Sequence, residues 1–428
     1  METKKFLDVL NKELKVALGC TEPIAIAYGA ALAMKYVKGE EALDIKVNAS
    51  GNVIKNAMAV SIPGTSSSGI NLAAALGALL NSDAGQQLEV LSGLKKQDIE
   101  DAKSMVSEGL VTVNVASSKK KLYIEIIVTT EISQSRVVIE DGHTNVVLIE
   151  VDGNEIINKR SREELVEATP SYDFMNLNTI WEFVNKSDIN DLDIIRESIS
   201  LNKEIAMEGL EYNHGLGVGK NIAMYIEKGL LGDDLANRAM ALTAAGSDAR
   251  MDGATKSVMS NSGSGNQGIL AALPVVAIGE KIGITENQLI RGVLLSHLIT
   301  IYIKSKFGVL SALCGATIAG TGASCGIAYL LDGNLEAVKY AVQNMLGNVT
   351  GMVCDGAKAG CALKVSTCTN AAVQAAILAV EGLSVHSTEG IVEADPEKTI
   401  DNVCSLANDG TVEVDKIILN IMLKKGLC

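Results

Sequence analysis

Aromatic side chains are scarce: Phe, Tyr and Trp make up 3% of the 428 residues, although 47% of the chain is hydrophobic. A core of that size has to be filled by aliphatic and small side chains, and the 40 glycines and plentiful alanines suit helices that approach closely. Positive charge is also short. Only seven arginines occur, no basic run reaches five residues, and the net charge is -14, with a pI near 4.9. Nucleic acid and anionic membrane are thereby disfavoured as partners. The histidines His143, His214, His297 and His386 are scattered, with no His-x-x-x-His pair that would suit a histidine-built metal site. The N-terminal stretch Met1-Glu2-Thr3-Lys4-Lys5-Phe6 is charged at helical spacing and has no long apolar run, so it does not read as a secretory signal. Eight cysteines over this length are too sparse for a disulfide scaffold. The expectation is a cytoplasmic protein with reduced thiols.

One stretch needs weighing as a membrane span. Phe307 to Leu331 carries no charge and is long enough to cross a bilayer. It also holds five glycines, two cysteines and several Ser and Thr residues, with no aromatic belt, and it reads as buried central helix.

The length fits two or three domains. Residues 1–38 read as helix, interrupted near Gly19-Cys20 and resuming after Pro23, and packing on a later helical domain. From about 42 to 160 the hydrophobic period becomes two: Leu43–Asn48, Leu122–Val128 and Asn145–Val151 read as strands, with hairpin turns at Asp141-Gly142 and Asp152-Gly153. Helices interrupt this region near 69–81 and 96–107. From 161 the pattern is helical, with breaks at 214–219, 246–253 and 261–268. The predicted fold class is α+β: an N-terminal helical segment (1–38), an α+β module (39–160) and a predominantly helical catalytic domain (161–428).

The cysteines are the chain's most informative feature. Cys20, in Gly19-Cys20-Thr21-Glu22-Pro23, directly precedes a helix start, where the helix dipole is expected to lower a thiol's pKa and suit it as nucleophile, ligand or base. The alternative is an ordinary small buried residue. Cys354 and Cys361 flank Asp355, Gly356, Lys358 and Gly360, and Cys314 in Leu313-Cys314-Gly315 could complete a three-thiolate site. Cys325, Cys368, Cys404 and Cys428 are further candidates. Spacing leaves zinc, an iron–sulfur cluster or plain core cysteines all open.

Asn261-Ser262-Gly263-Ser264-Gly265-Asn266-Gln267-Gly268 precedes an apolar helix, and exposed amides at such a start make an anion site that suits a substrate carboxylate. Ser61-Ile62-Pro63-Gly64-Thr65-Ser66-Ser67-Ser68-Gly69 is a second hydroxyl-rich loop. Arg250 could grip a carboxylate in bidentate fashion or form a structural ion pair. His214-Gly215-Leu216-Gly217-Val218-Gly219-Lys220 is like a phosphate loop only superficially. His214 occupies the first glycine position and Asn221 that of the Ser or Thr, so the segment reads as a turn between helices.

Gly19-Cys20-Thr21-Glu22-Pro23, the Ser262–Gly268 loop, and Cys354-Asp355-Gly356-Ala357-Lys358 with Cys361 together resemble the 4Fe–4S-dependent L-cysteine desulfidases. The resemblance extends over nearly the whole chain and reaches, more distantly, the iron–sulfur L-serine dehydratase α-chain. It implies that Cys314, Cys354 and Cys361 hold a 4Fe–4S cluster and that Cys20 is a separate reactive thiol. The implied reaction is non-redox β-elimination of L-cysteine to sulfide, pyruvate and ammonia. In it an open iron acts as Lewis acid, Cys20 removes the α-proton, and Ser262, Ser264 and Asn266, with Ser66 and Ser67, hold the carboxylate. Pyridoxal phosphate commonly serves such eliminations, but no segment resembles the setting of a Schiff-base lysine. A homo-oligomer, taken as a dimer, is expected. The alternatives are L-serine or another β-substituted amino acid as substrate, and a non-catalytic, metal-stabilised amino-acid-binding protein.

Overall fold

The computed structural model describes residues 2–39, 41–160, 172–308 and 311–425. Cys428 and the expected boundary at 161 lie outside the described residues. In chain order the elements are α1 (Glu2–Glu13), β1 (Leu14–Leu18), α2 (Thr21–Tyr36), β2 (Asp44–Ala49), α3 (Gly51–Ala57), β3 (Ser61–Ile62), β4 (Ser67–Ser68), α4 (Ile70–Leu79) and α5 (Lys96–Ser107). Five strands follow: β5 (Val111–Val115), β6 (Tyr123–Thr129), β7 (Gln134–Glu140), β8 (Val146–Val151) and β9 (Asn154–Asn158). The next elements are α6 (Leu177–Lys186), α7 (Asp193–Glu211), α8 (Val218–Glu227), α9 (Leu235–Met251), β10 (Ser257–Asn261), α10 (Gly265–Ile282) and α11 (Glu286–Phe307). The chain ends with α12 (Gly315–Leu330), α13 (Leu335–Val349), α14 (Cys361–Val380), α15 (Pro396–Ser405) and α16 (Val412–Leu423). The fold is α+β and helix-dominated.

Period-two patterning builds the main sheet, in the order β5-β2-β6-β7-β8-β9, with β2 and β5 parallel and the other pairs antiparallel. Ile124, Ile126 and Val128 alternate inward along β6 and are fully buried. Each contributes roughly 1.5–3 kcal/mol by leaving water. They meet α2, which is apolar on all sides and almost wholly buried. The Asp152-Gly153 turn has positive φ at both residues (50° and 77°), which is the geometry a two-residue hairpin needs.

The apolar side chains gather into two large cores. One combines α2, the sheet and α4; the other combines α1 with the bundle of α10, α11, α12, α13 and α14. Helix α12 sits deep in that bundle and is rich in Gly, Ala, Ser and Thr. A Cβ on its Gly322 would stand 2.2 Å from Thr300 Oγ1 on α11, so only glycine permits this approach. The uncharged stretch 307–331 is broken after Phe307, and its helical part is buried among other helices. Among the described helices, Cys361–Val380 is long and apolar enough to span a bilayer, and 56% of that window is buried inside the protein.

Two segments differ from the sequence expectation. Leu14–Leu18 is a strand, not helix, paired antiparallel with Ser257–Asn261. A five-residue segment is too short to fix its period, and its distant partner decides the outcome. The expected break at 246–253 is instead the C-terminal end of α9. Gly246 is tolerated there because α9 packs closely on Leu273 and Ile269 of α10.

Candidate functional site

The β1–β10 pair joins the two cysteine-bearing halves of the chain. β1 runs into Gly19 and Cys20, β10 runs into the Ser262–Ser264 turn, and Thr21 Oγ1 donates to Gly263 O at 3.0 Å across them. Gly19, with φ of 68°, breaks the strand, and its carbonyl accepts from Arg250 Nε at 3.1 Å. Gly265 makes room for this arginine, since a Cβ there would stand 2.2 Å from Arg250 Nε. On the opposite wall, Cys314 and Cys354 lie beside the Leu313–Val353 bridge. Cys314 N donates to Met352 O at 2.8 Å, and Cys354 N donates to Ala312 O at 2.6 Å.

These elements enclose a cavity of about 110 Å³ lined by Cys20, Cys314, Cys354 and Cys361 together with Glu22, Asn56, Arg250, Ser264, Asn266, Gln267 and Lys364. Four helices begin at its wall: Cys20 caps α2, Ser264 caps α10, Cys314 caps α12, and Cys361 is the first residue of α14. Their positive ends, with Arg250 and Lys364, make the cavity a place for anionic sulfur and a carboxylate.

Several sequence-selected residues stand elsewhere. Ser66 is exposed at positive φ and Ser67 opens β4, and neither lines the cavity. Pro63 of the same loop packs against Gly19. Ser262 donates to Asn261 Oδ1 at 2.9 Å and faces a neighbouring cavity of about 450 Å³ that also takes in His143. Cys325, Cys368 and Cys404 are buried in packing, with Cys368 Sγ against Met352 Sδ, and they do not line the cavity.

Burial reverses the expected acidity of Cys20. The helix dipole is worth roughly 0.3–1 kcal/mol, under about one pKa unit. Burial, added to by the Glu22 carboxylate, pushes the thiol far up, and Arg250 offsets this only in part. The thiol donates to Glu22 Oε2 at 3.2 Å. Burial also works against the charge on Glu22 itself, but His143 and the Cys20 hydrogen bond hold this carboxyl well below the usual range. His143 Nε2 stands 3.9 Å from Glu22 Oε1, beyond hydrogen-bond reach, so its contribution is a field across the gap. Asn56 Nδ2 donates to the carboxylate at 2.9 Å, and the Thr21 hydroxyl lies between it and Gly263 O, 3.0 Å from each.

The neighbouring thiols of Cys314 and Cys354 split each other's acidity. Cys354 is pulled down to about 6 by Cys314, against burial, with help from Lys55 and Lys364. Cys314 is pushed up by Cys354 and by burial. Burial raises Cys361 as well. Lys55 is buried and paired with Asp415 of α16 at 2.6 Å. Lys364 is held by Val353 O at 2.7 Å and by Asp355.

Among the described residues, no three His, Cys, Asp or Glu side chains converge closely enough to hold a single metal ion. A four-iron cluster is wider than one ion and is held by thiolates that need not meet at a point. Three cysteines spread around one enclosed wall, with cations behind them, fit that donor set.

Glu22, Asn56, Gln267, Lys55 and Lys364 were not singled out from sequence. Glu22 and Gln267 lie inside the two motifs already read, so motif membership was their available signal. Lys55 meets Asp415 across 360 positions, and no local pattern announces that.

Comparison with known proteins gives two results. The serine dehydratase alpha chain family profile matches residues 85–420. A UPF0597 protein of Clostridium perfringens strain SM101 is 44% identical over 421 residues, 98% of each chain. UPF0597 proteins of Shewanella halifaxensis and Bacteroides thetaiotaomicron are 43% and 42% identical, and the matches cover 98% or more of every chain. These matches support a lyase-type role. The chain belongs to the serine dehydratase alpha-chain family.

Proposed function

We propose that this protein is a lyase that removes the β-substituent of a small L-α-amino acid, with L-cysteine as substrate and sulfide, pyruvate and ammonia as products. The observation that carries the reading is the meeting of Cys20, Cys314, Cys354 and Cys361 with Arg250 in one cavity.

Cys314, Cys354 and Cys361 would hold a 4Fe–4S cluster, in keeping with a family that is typically iron–sulfur dependent. When bound, such a cluster supplies Lewis acidity toward a sulfur or oxygen leaving group. The remaining steps fall to side chains. Arg250, 3% exposed, offers its outer guanidinium N–H groups to the carboxylate. Ser264 and Asn266, at the start of α10, add polar contacts beside the helix amides. Cys20 takes the α-proton. Its own proton rests on sulfur, in a hydrogen bond to Glu22 Oε2, so Cys20 acts as base after that proton has been lost to solvent.

L-Serine is the second reading, and the description of the matching family favours it. Reconstituted protein supplied with each amino acid in turn separates the two: sulfide with pyruvate from L-cysteine supports the first, and pyruvate from L-serine alone supports the second. Iron analysis checks the cofactor, with roughly four iron and four sulfide expected per chain. Active protein that is metal-free or zinc-loaded would rule out the cluster.

A further inference from the structure

Gln267 lies in the first turn of α10 and is 4% exposed. Its amide has one permitted orientation. Nε2 donates to the Asn261 carbonyl at 3.3 Å, and a carbonyl can only accept, so the other terminal atom is the oxygen. That oxygen, Oε1, is enclosed, borders the cavity and has no donor among the described residues. The opposing backbone is shaped around it, because a Cβ on Gly315 would stand 2.7 Å from Oε1. Gly315 directly follows Cys314, so the unpaired acceptor stands beside the thiols.

The other oxygen acceptors with partners on this wall are already engaged. Glu22 Oε1 takes the Asn56 amide at 2.9 Å, and Glu22 Oε2 takes the Cys20 thiol at 3.2 Å. Asn266 Oδ1 takes Ser247 Oγ, and Ser264 Oγ takes the Gln267 backbone N–H, both at 3.4 Å. Nearby cations are committed too: Lys364 to Val353 O and Asp355, and Arg250 Nε to Gly19 O. A buried acceptor without a donor is costly, and a ligand that brings a donor removes that cost. The shape of the site then calls for one ligand carrying a carboxylate for Arg250 and a cationic N–H donor for Gln267.

We infer that Gln267 is the specificity-determining residue for the α-ammonium group, accepting a hydrogen bond from it at Oε1. This inference rests on the reading of the cavity as an amino-acid site and deepens it: the site selects α-amino acids over carboxylates that lack the amino group.

The test is calorimetric binding to full-length reconstituted protein carrying Cys20→Ala, which prevents turnover during titration. The ligands are L-cysteine and 3-mercaptopropionate, which share the thiol and carboxylate and differ at the amino group. Adding Gln267→Met, close in shape but without the acceptor, is expected to weaken L-cysteine roughly 10- to 100-fold and leave 3-mercaptopropionate within about twofold. Adding Gln267→Glu, which restores an acceptor, is expected to recover L-cysteine binding. Equal weakening of both ligands by Gln267→Met overturns the inference alone, because that is the signature of a structural role. L-Cysteine failing to bind before Gln267 is altered overturns the amino-acid reading as well.

Discussion

The Cys20 thiol donates a hydrogen bond to Glu22 Oε2 at 3.2 Å, both groups buried at the start of one helix. That contact defines the chemistry of the site more than the helix dipole does. It keeps the proton on sulfur at rest. Glu22 in turn stays ionised because Asn56, Thr21 and the nearby His143 surround it.

Glu22→Gln removes the carboxylate charge beside the Cys20 thiol but keeps an oxygen for the Asn56 amide. Turnover is expected to fall by about 10²–10⁴-fold, with iron content unchanged. Steady-state kinetics beside an iron assay check this. A variant with ordinary kcat would show that turnover does not need the Glu22 carboxylate.

Cysteine substitutions should divide into two classes. Cys314→Ser, Cys354→Ser and Cys361→Ser are each expected to lower bound iron and visible absorbance. Cys20→Ala should keep the colour and lose product formation, and Cys325→Ala should keep both. If Cys20→Ala loses its colour, Cys20 is a ligand and its role as base fails.

His297 ties folding stability to pH. It is fully buried, with Nε2 2.8 Å from Ser198 Oγ and Nδ1 3.0 Å from Asn261 Nδ2. Because Asn261 donates to Nδ1, the proton sits on Nε2. Burial depresses its pKa from 6.5 to about 3. The unfolded chain therefore takes up a proton first as pH falls. Stability from the neutral ring is complete above pH 6.5 and is lost as pH drops toward 3, amounting to about 3 kcal/mol by pH 4. Denaturation of the wild type and His297→Gln across pH 4–7 should show a flatter profile for the variant. Parallel profiles would contradict the assignment.

The Lys55–Asp415 pair fastens α16 to α3 beside Cys354. Asp415→Ala strands a buried ammonium and is expected to cost about 3–5 kcal/mol. Lys55→Met combined with Asp415→Leu should recover most of that loss. Chemical denaturation of the three proteins measures it, and an Asp415→Ala protein as stable as wild type would show that the lysine finds water.

Local signals were legible in the sequence: alternation at Leu122–Val128, the turn at Asp152-Gly153 and the start of α2 after Cys20 all reflect neighbouring residues. The β1–β10 pair was not, because Leu14–Leu18 becomes a strand only through a partner some 240 positions away. The same limit applied within the site. Cys20 and Gln267 lay in readable motifs, but the acidity of Cys20 depends on burial, and the unpaired oxygen of Gln267 depends on what faces it. Ser66 and Ser67 show the converse, hydroxyls in a readable loop that are not among the residues lining the cavity.

The most direct test of the central claim is a product assay on anaerobically reconstituted protein given L-cysteine. Sulfide, pyruvate and ammonia in equal amounts, abolished by Cys20→Ala with the cluster intact, is the predicted result. Protein that holds its full iron content and releases no pyruvate from either L-cysteine or L-serine would contradict it.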